Sequence, residues 1–148
     1  MHFLVDEADI LTGRHMFKKN DGIRHNNIHH CDFAFLLNDS YIGIDISSLD
    51  QRVYGISGYI ALEKFAKEVV NMPKSIKKGA LYVADCDLIP GTAKVYSIPA
   101  KMKYDKKKRC ICFGDDYQAS EAVRISEDVL IVVNEGQITA IYIALDNI

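Results

Sequence analysis

Ile42, Ile44 and Ile46 alternate with Gly43, Asp45 and Ser47 in the stretch SYIGIDISSLD, and this period of two is the strongest constraint on the fold. It lays an isoleucine face on one side of an extended chain and small or polar residues on the other. That is the pattern of a half-buried antiparallel strand. RVYGISGYI continues it across a linker, Ser48–Gln51, short enough for a hairpin. Further strands are expected at HFLVDEA (2–8), DFAFLLND (32–39), GALYVAD (79–85), AKVYSI (93–98), AKMKYD (100–105), RCICFG (109–114), EAVRIS (121–126), DVLIVVN (128–134) and QITAIYIAL (137–145). Asn134-Glu135-Gly136 supplies a tight turn between the last two.

One segment breaks the period. In ALEKFAKEVVNM, Leu62, Phe65, Ala66, Val69 and Val70 fall at helical spacing, Glu63–Lys67 and Lys64–Glu68 pair on the wet side, and Pro73 ends the run. The expected class is therefore α+β: a twisted, mainly antiparallel sheet or half-barrel of about nine short strands, with one amphipathic helix near 60–72. No linker or repeat divides the chain, so a single domain over 1–148 is expected, and 148 residues suffice for a sizeable core. Residues 12–31 show no sustained period and read as a long loop.

No run approaches the 18 or so apolar residues of a membrane span, and MHFLVDEADILTGRHMF carries acids where a signal peptide needs an apolar core. With four cysteines in no secreted-domain framework, the expected setting is the reducing cytoplasm, with free thiols. Charge is uneven: residues 1–109 hold 17 Lys/Arg against 13 Asp/Glu, and residues 110–148 hold 1 against 7. An acidic segment of this kind suits a basic partner.

Chemistry-bearing residues concentrate in HNNIHHCD (25–32). His25, His29, His30 and Cys31 could serve a metal-binding or hydrolytic enzyme, with Cys110 and Cys112 sharing one strand face as further ligands. The spacing matches neither a zinc knuckle nor the helical His-Glu-x-x-His pattern, since Asn26 follows His25. The expectation is a polar loop without a metal or other cofactor, with His25, His29, Cys110 and Cys112 as the ligand candidates. No local feature marks a cysteine or serine nucleophile, so an enzyme is not expected. The basic run KMKYDKKKR (101–109) offers a nucleic-acid reading, but its simpler meaning is a wet hairpin tip; the net charge of −2 gives nucleic acid no support. Carboxylates at Asp85, Asp87, Asp115, Asp116 and Glu121 are the candidate contacts for a protein partner. Dimerisation through a strand edge is left open.

Residues 104–147, YDKKKRCICFGD through SEAVRISEDVLIVVNEGQITAIYIALDN, resemble a family of short bacterial β-sheet proteins of unknown function. Tyr104-Asp105, Glu121, Gly136, Ile138, Ile141 and Ile143 carry the resemblance, and Asn134-Glu135 stands where that family has an acidic turn. In size, charge and lack of enzyme motifs the chain is also similar in type to the immunity proteins of bacterial contact-dependent growth inhibition. That resemblance implies a cytoplasmic protein that binds and occludes a cognate toxin domain, commonly a nuclease. It assigns no binding residues.

Overall fold

Strands account for most of the computed structural model, which describes residues 1–38, 40–62, 65–98, 102–116 and 121–145. In chain order they are β1 (His2–Asp6), β2 (His15–Lys18), β3 (Gly22–His25), β4 (Phe33–Leu37), β5 (Ile42–Ile46), β6 (Val53–Gly58), β7 (Ala66–Lys67) and β8 (Ser75–Lys78). They continue as β9 (Ala80–Ala84), β10 (Thr92–Tyr96), β11 (Met102–Asp105), β12 (Cys110–Gly114), β13 (Glu121–Ser126), β14 (Val129–Asn134) and β15 (Gln137–Ala144). A six-stranded sheet runs β10-β4-β5-β6-β3-β2, a seven-stranded sheet runs β7-β11-β12-β15-β14-β13-β8, and β1 and β9 form an antiparallel ribbon. Pairing is antiparallel except at β10–β4, β7–β11 and β8–β13, so the parallel pairs all involve edge strands. Among the described residues no helix is long and apolar enough to cross a membrane.

The alternating isoleucines set the main core. Phe35, Ile44 and Ile56 lie in register across β4, β5 and β6, while Ile111, Ile143 and Val129 align across β12, β15 and β14. All six are buried in one apolar cluster shared by the two large sheets. Phe3 of the ribbon enters it edge-on to Phe35 and Tyr96, with ring centroids 5.9 and 5.4 Å apart. The Tyr96 hydroxyl accepts the Ile138 N–H at 2.8 Å and donates to Gln137 at 2.9 Å, tying edge strand β10 to β15 of the other sheet.

The seven-stranded sheet is buried on both faces. Its second face carries Cys110, Cys112, Leu130, Val132, Ala140 and Tyr142, packed with Val70. Central strands β12 and β14 are therefore apolar at nearly every position and do not alternate.

This second face overturns the expected helix. The structure is nearly all β, not α+β. Ala66 and Lys67 instead pair in parallel with Lys103 and Tyr104. Val69, on the predicted apolar stripe, is 70% exposed, whereas Val70 is fully buried. The chain beyond β7 is held extended by groups that a helix would deny it. The Asp105 carboxylate accepts the Val70 N–H at 3.0 Å, Asp116 accepts the Asn71 N–H at 2.7 Å, and the Tyr142 hydroxyl donates to the Asn71 carbonyl at 2.9 Å. Helical propensity is worth tenths of a kcal/mol per residue, and three polar bonds, one buried and two part-buried, plus a covered sheet face outweigh it. Positions 63 and 64 of the expected helix lie outside the described residues.

Residues 12–31 likewise differ from the loop expected there, since β2 and β3 form a hairpin with His15 opposite His25 and Phe17 opposite Ile23. Two of its inward positions are histidines, which hides the alternation from any hydrophobic pattern.

Gly58 joins the hairpin to the sheet, opposing Ile42 on one side and Ile23 on the other with φ +137°. A Cβ there would lie 1.9 Å from the Tyr41 carbonyl oxygen. Gly58→Ala should cost about 3 kcal/mol or more of unfolding free energy, through strain and clash together, measured by urea denaturation. Gly91→Ala, whose φ is +80° but whose Cβ would meet nothing, should cost clearly less.

Candidate functional site

The residues of HNNIHHCD do not converge. His25 is buried in β3, while His29 and His30 are exposed on a short 3-10 turn, Ile28–His30. His30 stacks on Tyr54 at 5.2 Å. The Cys31 thiol points to the Asn27 carbonyl at 3.6 Å, and Asp32 accepts both the N–H and the hydroxyl of Ser48, at 2.7 and 2.5 Å. Burial, with the charges of Asp45, Asp32 and Asp50, pushes the Cys31 thiol up to about 12. A thiol so buried is not a ready nucleophile. Cys110 and Cys112 do share a strand face, as expected, but it is the second face of the seven-stranded sheet; burial raises them to about 11 and 12. Among the described residues no group of three His, Cys, Asp or Glu side chains could hold a metal ion.

What His25 joins instead is His15. The two rings stack, with centroids 5.0 Å apart at 27°. His15 Nε2 lies 3.0 Å from the Ile56 N–H and must accept from it, so the ring's proton sits on Nδ1, which donates to Asp128 at 2.8 Å. The His15 backbone N–H also donates to Asp128, and the Ser126 hydroxyl donates to it at 3.1 Å. His25 Nε2 is 2.7 Å from Asp45, which also accepts the Ser57 hydroxyl at 2.6 Å. Gly55 makes room for this ring, because a Cβ there would lie 2.8 Å from three of its atoms. Serine and histidine thus both spend their protons on one carboxylate. A hydrolytic relay would need the serine on the histidine. The His15–Asp128 pair fastens the β2 edge of one sheet to the turn between β13 and β14 of the other. His25 Nδ1 is buried and has no hydrogen-bond partner among the described residues.

The expected partner contacts separate. Asp116 is buried, with its carboxylate 2.7 Å from the equally buried Lys103 ammonium and on the Asn71 N–H, so it is spent inside the fold. Asp115 is half-buried, and exposed Glu121 pairs with Lys77 at 3.2 Å. Asp85 and Asp87 are exposed beyond the end of β9, Asp85 with φ +57° and His2 at 3.2 Å. The basic run is a hairpin. Lys103 is buried, Lys108 bonds the Val70 carbonyl, and Lys106 and Lys107 are exposed at the tip; Lys101 lies outside the described residues.

Asp85 borders a surface that the sequence did not single out. The ribbon turns Phe3, Leu81 and Val83 into the core, so His2, Leu4 and Asp6 of β1 and Tyr82 and Ala84 of β9 share the other face. Leu4, directly opposite Tyr82, is 50% exposed. A cavity of about 390 Å³ opens here, with Leu4 and Tyr82 in its wall alongside Asp6, Gln51 and Asp85. No family model, curated protein or solved structure matches the chain.

Two expectations follow from the buried carboxylates. Asp116→Ala should cost about 3 kcal/mol by removing the close buried partner of Lys103, leaving it the longer approach to Glu68, and Lys103→Met added to it should restore part of the loss in a denaturation cycle. Asp128 and Asp116 are pushed up by burial, but hydrogen bonds outweigh this, from His15 and Ser126 in one case and from Lys103 and Asn71 in the other, so both end below the usual carboxylate range. Asp105 is lowered by the Val70 N–H first and then by Lys108. Carboxylates with lowered folded values stabilise the fold above the unfolded value of about 4 and cease to as pH falls through the folded values. Stability should decline below about pH 4, and Asp105→Asn should make the decline shallower in acid-titration melts.

Proposed function

We propose that the protein is a binding protein that neutralises a basic protein partner, in the manner of an immunity protein occluding a bacterial toxin domain. The observation that carries this reading is the outer face of the β1–β9 ribbon. There an exposed Leu4 beside Tyr82 lies between two carboxylates, Asp6 and Asp85, around an open groove. Apolar area rimmed by charge of one sign is how a protein surface receives a lysine or arginine side chain, which buries its stem and pairs its head. Asp87 and Glu7, both exposed near the ends of β9 and β1, extend the acidic character. A nuclease domain is the natural partner class, since a face that binds nucleic acid is basic and is blocked by an acidic surface.

Of the five carboxylates expected at the contact, Asp85 and Asp87 remain in this proposal, and Leu4, Asp6 and Tyr82 join them. Asp116 is withdrawn by its burial.

The test is co-purification with, and protection of cells from, a basic nuclease toxin domain encoded next to the gene for this chain. Asp6→Asn with Asp85→Asn should weaken the complex about tenfold or more and flatten its salt dependence, with the melting temperature held. Leu4→Arg should abolish protection. If the complex forms with affinity unchanged in both variants, the ribbon is not the contact surface; if no complex forms, the binding reading fails.

A further inference from the structure

A second cavity, of about 310 Å³, lies at the β3–β6 junction, away from the ribbon groove. Its size falls at the lower end of the roughly 300–1,000 Å³ range of small-ligand sites. Ile23, Ile28 and Tyr59 supply apolar wall, and Gly58 leaves bare backbone there. Two opposite charges, Asp21 and Arg24, also line it. They form no ion pair with each other: Asp21 reaches the exposed Lys18 at 3.6 Å, and the Arg24 side chain has no ion-pair or hydrogen-bond partner among the described residues. Ser57 and His25 complete the lining, the His25 side chain itself being fully buried with its Nε2 on Asp45.

We propose that this cavity binds a small zwitterion, an α-amino acid with an apolar side chain. Its carboxylate pairs with Arg24, its ammonium faces Asp21, and its side chain lies against the exposed Ile28 and Tyr59. One cation and one anion on the same wall argue against a polyanion such as a phosphate ester, for which Asp21 would be repulsive. A fatty acid would leave Asp21 unmatched. The site is independent of the partner surface, and so this inference stands or falls separately from the neutralisation reading.

The test is an NMR titration of the whole chain with L-phenylalanine. Two analogues accompany it: phenethylamine, which lacks the carboxylate, and 3-phenylpropionate, which lacks the ammonium. L-phenylalanine should shift the amides of Ile23, Arg24, His25 and Gly58 saturably, and each analogue should bind about tenfold more weakly. Arg24→Gln changes an exposed side chain, so the fold should persist. It should weaken L-phenylalanine by about tenfold and leave phenethylamine unaffected. L-leucine and L-methionine serve as second ligands in case the aromatic ring is too large. The proposal is overturned if none of the three amino acids gives saturable shifts at these residues up to ~10 mM. It is equally overturned if either analogue binds as tightly as L-phenylalanine.

Discussion

A sheet buried on both faces needs a cover on each, and most of this structure follows from how the seven-stranded sheet obtains its second one. The first face is closed by the six-stranded sheet through matched rows of isoleucine, valine and phenylalanine. The second is closed beside Val70 by a stretch of chain with almost no regular structure. Irregular backbone over an apolar surface must have its N–H and carbonyl groups satisfied locally. Here that work falls to Asp105, Asp116, Lys108 and Tyr142, which between them bond both backbone groups of Val70 and of Asn71.

The same device recurs at the far side of the molecule. Asp128 takes the backbone and ring of His15, and Asp45 takes His25 and Ser57, fixing the β2–β3 hairpin against the rest. Asp45, Asp105, Asp116 and Asp128 are therefore structural anchors, their charge balanced by directed N–H and O–H donors, and of the five carboxylates expected at a contact only Asp116 is among them. That leaves the exposed acids of the ribbon, with the leucine and tyrosine between them, as the surface suited to a partner.

Strand positions were legible wherever burial was one-sided. Ile42, Ile44 and Ile46 behave as their spacing demands, and the hairpin across Asn134-Glu135-Gly136 forms in register, with Asn134 opposite Gln137. The helix at 60–72 was misread because its apolar residues serve different surfaces: Phe65 enters the main core, Val70 the second face, and Val69 faces water. Spacing alone cannot tell one stripe from two half-used faces. His15 and His25 were missed as a pair because both occupy inward strand positions that apolar residues normally fill. The one available clue was that they sit two residues from Phe17 and Ile23 respectively, on the same strand faces.

By itself the sequence determined that this chain would build antiparallel sheets around an isoleucine-rich core, because a period of two leaves no other way to bury one side of a strand. It also determined that Cys110 and Cys112 would share a face. Only the tertiary structure decided which carboxylates are available, since availability depends on the donors that long-range pairing brings to each. Asp116 meets Lys103 and Asn71, and Asp128 meets His15 across 113 residues of chain, while Asp85 and Asp6 border an open groove. Burial and hydrogen-bond partners are properties of the folded contact, and no local pattern encodes them.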